Sequence, residues 1–588
     1  MRVSVSTCLL ALAHLRTTLA LNGALLRQIG ELADQGLLPD GTPMAPVTSP
    51  DTSDTSSLMA IASTNDDLSS ASLLSSPPSD DDDLPIRPEY VELPLDNFAS
   101  DGDYSYYGTF FNRYWVNSRF YKPGGPVFLY DFGEADAGTG AQMRLRNGSG
   151  FFREMVERYQ GVGIVWEHRF YGNSTPEPIN TNTPPEAFRF LTTSQALADV
   201  DRFAWQFSRP EIPHDLTPKS TPWIFIGGSY PGMRAAFMRD KYPSTIFAGY
   251  ASSAPTQAHI DMSSYFEVIW DGLQNAGFGN CTRDLQAVVR WVDGMLERNE
   301  TAAEVKEMFL GKGASGNSNG GFADALTVVF AVWQSYGVEG GWYSLRGLCD
   351  HMGTDPDAKG RDGERGVVSG REGWARRKGA EWSARRWASW RGWVDMVNMY
   401  MGTECSGEAE VEGKCELDRP FADPSMIAWT WQYCTEWGYL QSANLGPKQL
   451  LSKHNSLFHQ REICHRQFPA ALPEWPLVTR TNQRFGGWDL RPANVYWTGG
   501  EYDPWRTLSP LSNGVRVKMT TRAPKCNEEP KRGEVFGYLL PGAMHCFDFR
   551  AKDVWPGAVR ARAYFTDALD EWLKCWRPGR GRGRGGRG

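Results

Sequence analysis

Short continuous apolar runs separated by helical patterns fill residues 88–256. Four of them, at 127–130, 163–166, 223–226 and 247–251, are apolar at every position rather than at alternate ones. A strand that is apolar on both sides must be covered on both sides, so these runs predict a parallel sheet with helices packed on each face. From residue 257 the pattern changes. Leu285, Val288, Val289, Val292, Met295 and Leu296 recur at helical spacing over 281–298, and 323–336 and 382–400 carry the same period. Within this region 311–321 and 353–379 are rich in Gly and charge and are expected to be loops. Strand signals return at 495–498 and 535–540, and a helical pattern over 558–573 follows. The chain reads as one α/β domain in two parts, 88–256 and 481–576, interrupted by a helical cap insertion at 257–480.

The ends read differently. Arg2 precedes an apolar stretch at 3–15, and Thr18-Leu19-Ala20 supplies small residues for cleavage, so 1–20 is expected to be a secretory signal. Residues 40–83 are rich in Ser, Thr, Pro and Asp and end in four consecutive Asp, Asp80 to Asp83. Such a stretch cannot bury enough apolar surface to offset its ordering entropy, so 21–87 is expected to be a disordered linker or pro-segment. The Arg-Gly repeats of 577–588 read as a disordered tail.

Composition adds three limits. Of 588 residues 41% are hydrophobic and 13% aromatic, enough for a large core, and a net charge of −8 argues against nucleic acid as a partner. No stretch approaches the roughly 20 apolar residues of a membrane span. Ten cysteines occur, of which Cys8 lies in the signal. The other nine lack paired CxxC spacing, so disulfides are expected rather than a metal site, and the odd count leaves one thiol free or paired between chains. Asn147, Asn173, Asn280 and Asn299 open glycosylation sequons usable in an exported chain.

The candidate chemistry begins at Gly227-Gly228-Ser229-Tyr230-Pro231-Gly232. An apolar run precedes it and a helical run, 233–242, follows. Strand, Gly-Gly-Ser, helix is the layout of a nucleophile elbow, in which a serine on a strained turn holds its hydroxyl above the end of a parallel sheet. A serine hydroxyl needs a base, and the base needs an orienting group. In the α/β-hydrolase arrangement these follow the serine in the order acid, then histidine. Of nine histidines only His545 lies beyond the returning strands, in a Gly-containing loop after 535–540. Asp503 follows 495–498 and is the expected acid, with Glu501 its rival. The backbone N–H of Tyr230 is the expected first oxyanion donor, and Gly133, in the loop after 127–130, the second.

With these residues in place, the chain resembles the serine peptidase family of lysosomal Pro-Xaa carboxypeptidase and dipeptidyl peptidase 2, which also holds secreted fungal prolyl peptidases. The resemblance spans about 94–576. It rests on Pro94-Leu95-Asp96-Asn97-Phe98, Arg113-Tyr114-Trp115-Val116-Asn117, Gly124-Gly125-Pro126, Glu167-His168-Arg169-Phe170-Tyr171-Gly172, the Leu191 to Asp199 stretch, the Ser229 elbow, Trp431-Gln432-Tyr433-Cys434-Thr435-Glu436-Trp437-Gly438, Asp503-Pro504-Trp505 and the His545 loop. Pro231 stands where many members have Gly, Phe132 where Gly is common, and 353–379 looks like an addition. The resemblance implies an α/β-hydrolase fold and hydrolysis on the carboxyl side of proline, often at acidic pH, with no cofactor. It implies peptide substrates as the partners, with no nucleic acid and no membrane, and leaves a homodimer open. Export, or delivery to a vacuolar or lysosome-like compartment, follows from the signal. A pyrrolidine ring needs a small apolar pocket, for which Trp505 and Met233 are expected walls. Glu134 or Glu436 would pair with a substrate α-amino group if the enzyme removes dipeptides. An esterase on the same fold, and a non-catalytic hydrolase-like binding protein, are the competing readings.

Overall fold

The computed structural model describes residues 30, 32–39, 42–44, 85–99, 107–146, 150–359, 365–408, 410–411, 413–551 and 554–579. The expected signal, Asn147 and residues 580–588 lie outside the described residues. Before the insertion come β1 (Glu89–Pro94), β2 (Thr109–Asn117), β3 (Val127–Asp131), β4 (Val162–Trp166), β5 (Trp223–Gly228) and β6 (Ala248–Ser252). The insertion holds β7 (His259–Asp261), β8 (Thr354–Lys359), β9 (Arg365–Val368) and β10 (Gly438–Leu440). After it come β11 (Val495–Gly500), β12 (Lys518–Thr520) and β13 (Glu534–Leu540). Four helices matter most for the site: α1 (Thr193–Gln206), α2 (Tyr230–Lys241), α3 (Pro424–Gln432) and α4 (Pro556–Leu573).

One sheet of nine strands runs β1-β2-β4-β3-β5-β6-β11-β13-β12. β2 is antiparallel to both its neighbours, and from β4 to β12 the pairs are parallel. The continuous apolar runs form the middle of this sheet because successive side chains point to opposite faces and both faces are dry. Val127, Leu129, Trp223 and Phe225 join Leu197, Val200 and Phe203 of α1 on one side. Phe128, Tyr130, Ile224 and Ile226 join Phe565, Leu569 and Trp572 of α4 on the other. β1 and β2 escape a search for continuous runs because β1 is an edge strand with alternating burial and β2, inside it, opens with exposed Thr109 and Phe111 and carries Asn112 and Arg113. β11 re-enters beside β6, Val495 opposite Gly249, and so closes the gap left by the insertion.

Two expectations for the insertion are corrected. Residues 353–379 are not all loop: β8 and β9 pair as an antiparallel hairpin, and a short helix, Ala375–Lys378, follows. The segment is tied down by Asp284, whose carboxylate accepts the N–H groups of Trp374 and Ala375, and by the Trp374 indole N–H donating to the Gly353 carbonyl. The helical patterns at 323–336 and 382–400 are each broken. In the second, Trp390 adopts an extended backbone between Ala380–Ala388 and Arg391–Met401. Trp387, Trp390 and Trp393, on the two sides of the break and at it, are all buried in the core.

Disulfides join Cys281 to Cys349, Cys405 to Cys415, Cys434 to Cys464 and Cys526 to Cys575, and among the described residues Cys546 is the free thiol. Part of the 21–87 stretch is folded against the body. Residues 32–34 are helical and Ala33 is buried in the main core. A bridge between Leu37 and Pro43 then returns the chain on itself.

Candidate active site

Ser229 sits between β5 and α2 with φ 67° and ψ −131°. This is strained backbone for a residue with a Cβ, and such strain concentrates at functional turns. Its N–H donates to the Ser252 carbonyl on β6 at 2.9 Å. The flanking glycines are obligatory. A Cβ on Gly227 would lie 2.2 Å from the Pro231 carbonyl oxygen, and one on Gly232 would lie 2.5 Å from the Ser252 oxygen. Tyr230 opens α2, so its N–H has no carbonyl partner within the helix and points out of its first turn.

β11 and β13 are neighbours, and the loops after them meet. Asp503 is fully buried three residues past β11, where its Oδ1 accepts the Trp505 N–H at 3.0 Å. His545 lies five residues past β13. Its Nδ1 is 2.9 Å and 3.0 Å from the two Asp503 carboxylate oxygens, which fixes the proton on Nδ1 and leaves Nε2 as the basic nitrogen. His545 Nε2 is buried with no hydrogen-bond partner among the described residues. Burial alone would lower the His545 pKa, but the Asp503 charge overrides it and holds the pKa well above the ordinary value of 6.5. Ser229 and His545 line one cavity of about 410 Å³, with Trp505, Tyr439, Tyr265 and Glu134 among its walls.

Of the other expected site residues, Trp505 forms an aromatic wall, edge-on to Tyr439 at 5.1 Å and to Tyr265 at 5.6 Å. Met233 is not a wall. It is completely buried, with its sulfur 3.7 Å from the Tyr439 hydroxyl, because the elbow helix turns it into the core. Glu436 is held at the start of α1, where its Oε2 accepts the N–H and hydroxyl of Thr193 at 2.9 Å and 2.8 Å. It does not line the cavity, and burial raises its pKa. The Gly133 N–H donates to Asp131 Oδ1 at 3.2 Å, so its own turn takes up the expected second oxyanion donor. Glu501 turns away and accepts the Gly542 N–H at 2.9 Å. The Asn173 and Asn299 side chains are exposed, whereas Asn280 donates to Ser369 Oγ at 2.8 Å.

Several supporting residues gave little signal in the sequence. Asp548 is buried and accepts three hydroxyls, from Ser252 at 2.6 Å, Tyr250 at 2.7 Å and Thr498 at 2.7 Å. Three residues after His545, it pins the histidine loop to β6 and β11. Gln334 accepts the His545 N–H through its carbonyl at 3.3 Å and the Trp505 indole N–H through its side chain at 2.9 Å. Behind the elbow, Arg234 of α2 pairs with Asp131 at 2.7 Å, both fully buried. His168 Nδ1 donates to the Arg169 carbonyl at 2.7 Å, so its Nε2 accepts the Tyr230 hydroxyl at 3.1 Å. Burial and the Arg234 charge push its pKa well down, consistent with a neutral ring. Gln432 of α3 donates to the same hydroxyl at 2.9 Å, which ties the insertion to the first residue of the elbow helix. Among the described residues no group of three His, Cys, Asp or Glu side chains could hold a metal ion.

A mostly parallel sheet, a serine in a strained strand-to-helix turn and a histidine–carboxylate pair on the loops of the returning strands define an α/β-hydrolase. The chain belongs to the serine carboxypeptidase S28 family, whose sequence profile matches residues 93–336 and 394–554. The unmatched interval contains the β8–β9 hairpin. The chain is 29% identical over 484 residues to a probable extracellular serine carboxypeptidase of Arthroderma benhamiae, covering 78% of this chain and 63% of that protein. It is 29% identical over 505 residues to the thymus-specific serine protease of Mus musculus, covering 82% and 87%. A shorter match of 174 residues, 34% identical and covering 29% and 32%, is to the lysosomal Pro-X carboxypeptidase of Pongo abelii. Among solved structures, proline iminopeptidase of Mycobacterium smegmatis aligns over 82% of this chain and 99% of its own, with a TM-score of 0.30 and 12% identity.

Proposed function

We propose that this chain is an exported serine carboxypeptidase that cleaves peptides on the carboxyl side of proline through Ser229, His545 and Asp503. The observation that carries the reading is the His545–Asp503 contact at 2.9 Å opening on the cavity that also holds Ser229 in its strained turn. His545 Nε2 takes the Ser229 proton as Oγ attacks the scissile carbonyl carbon. Asp503 keeps the imidazole in the required tautomer and stabilises its charged form. The oxyanion forms at the Tyr230 N–H, a fixed donor worth about 3 kcal/mol in comparable sites. The imidazolium then protonates the leaving amine, and a water activated by the same nitrogen releases the acyl group. Trp505, Tyr439 and Tyr265 offer flat apolar surface for a pyrrolidine ring. Glu436 is engaged by Thr193, which weakens the case for an amino-group anchor and favours action from the carboxyl end. The four disulfides suit an oxidising compartment.

The test is mass spectrometry of the products from one proline-containing peptide with its ends free or blocked. Loss of the residue after a penultimate proline, abolished by a C-terminal amide, is expected. Release of N-terminal dipeptides, or turnover of short esters alone, would overturn the reading.

The pH dependence has a definite sign. The base must be neutral, and Asp503 holds the His545 proton on above the ordinary 6.5. The acid limb of kcat/KM is therefore expected above pH 6.5, higher than the acidic range the resemblance implies. The same shift stabilises the fold below 6.5, and that contribution is lost as pH rises through the folded-state value. A kcat/KM profile whose acid limb lies below 6.5 would contradict an ionised Asp503 at this contact.

A further inference from the structure

The segment upstream of the α/β domain lies at the catalytic cavity. Gly30, Ala33 and Asp34 line the same cavity as Ser229 and His545. The Asp34 carboxylate forms an ion pair with Arg144 at 2.7 Å, with Asp34 only 20% and Arg144 13% exposed. The Asp34 carbonyl accepts the Ala551 N–H at 3.3 Å, and the Leu37 carbonyl accepts the Tyr336 hydroxyl at 2.9 Å. Gly36, at φ 75°, packs so closely on Val554 that a Cβ there would lie 2.6 Å from its methyl group. Tyr336 is two residues from Gln334, which accepts the His545 N–H, and Ala551 is six residues past His545.

Arg550 adds a second positive charge. It lines the cavity, is 2% exposed, and its guanidinium donates to the Ser335 carbonyl. Its Nε is buried without a hydrogen-bond partner among the described residues, and the Asp34 charge acts on it. Two guanidinium groups line one peptidase cavity, and one of them already pairs with a carboxylate of the chain itself, which matches the chemistry that recognises a carboxylate ligand.

We propose that residues 32–39 and 42–44 form an intramolecular plug on the catalytic cavity, and that the Asp34 carboxylate occupies the place where a peptide substrate's own C-terminal carboxylate binds against Arg144 and Arg550. This rests on the carboxypeptidase reading above. Among the described residues the plug is held by a partly buried ion pair, by hydrogen bonds to Ala551, Tyr336 and Met143, and by the packing of Ala33, Leu38 and Met44 on the core. A free-acid substrate competes with it directly.

The experiment uses the full chain as wild type, Asp34→Asn and Gly36→Val. Asp34→Asn removes the charge with little change of shape. Gly36→Val ejects the segment by steric conflict and an unfavourable φ, without touching the charge. Each protein is assayed on a Pro-Xaa peptide with a free C-terminus, and labelled with a fluorophosphonate. Both variants are expected to lower KM by about tenfold, equivalent to about 1.4 kcal/mol, with kcat unchanged. A synthetic peptide of residues 30–44, added to Gly36→Val, restores the wild-type KM, and the same peptide carrying Asp34→Asn does not. Wild-type KM in both variants, with Ser229 still labelled, overturns the plug. Equal inhibition by the two peptides overturns the carboxylate subsite. Absence of labelling in all three proteins would instead overturn the serine-peptidase reading.

Discussion

Ser229→Ala is expected to reduce kcat on a Pro-Xaa peptide by about 10⁵- to 10⁶-fold, the loss seen when a nucleophile that acts as a unit with its base is removed. KM should change little, because the aromatic walls and the charged end of the cavity stay in place. Fluorophosphonate labelling should vanish altogether. The fold should survive, since alanine keeps the Cβ and the same backbone turn and removes only the hydroxyl. Circular dichroism and thermal unfolding check this last point. Hydrolysis at the wild-type rate would mean that the His545–Asp503 pair serves another nucleophile or none.

Asp548→Ala is expected to be the most damaging substitution outside the triad. Ser252, Tyr250 and Thr498 would lose their shared acceptor while fully buried. Each stranded hydroxyl costs about 1–3 kcal/mol, so a total of about 3–5 kcal/mol is expected from denaturant midpoints. Because Asp548 holds the loop that carries His545, kcat should fall further than stability alone explains. Asp548→Asn keeps the shape and one acceptor oxygen and should recover part of both losses. Recovery of stability without kcat would separate packing from histidine placement. Wild-type stability in Asp548→Ala would refute the network's role.

The middle of the sheet was legible because β3, β4, β5, β6, β11 and β13 are buried on both faces and read as unbroken apolar runs. β1 and β2 were not, since β1 is a half-wet edge strand and β2, though paired on both sides, interleaves Asn112 and Arg113 with its apolar residues. The elbow and the order serine, aspartate, histidine could be read because the chemistry restricts both residue type and sequence order. The walls of the cavity could not. Met233 is one helical turn from the nucleophile, but whether that turn faces substrate or core depends on how α2 rolls against Tyr439. Glu436 carries a charge in a quoted motif, yet only the docking of the insertion on α1 shows that Thr193 claims it. Asp548 gives no signal in the sequence, because closeness to His545 argues against a triad role and says nothing about three hydroxyls arriving from two strands. The docked residues 32–39 and 42–44 sit in a stretch whose composition resembles a linker, and their few apolar side chains find partners only in the finished body.

The pairing of β6 with β11 bears on how this molecule is made. β6 emerges from the ribosome roughly 250 residues before its neighbour, an interval on the order of 10–50 s at usual elongation rates. For that time the strand beside the elbow presents an edge of unpaired N–H and C=O groups of the kind that recruits other nascent chains. Bridges such as Cys281–Cys349, which lie within the insertion, can close during the wait. Yield from a recombinant host should therefore depend on chaperone supply and oxidative capacity during translation more than on the stability of the finished enzyme.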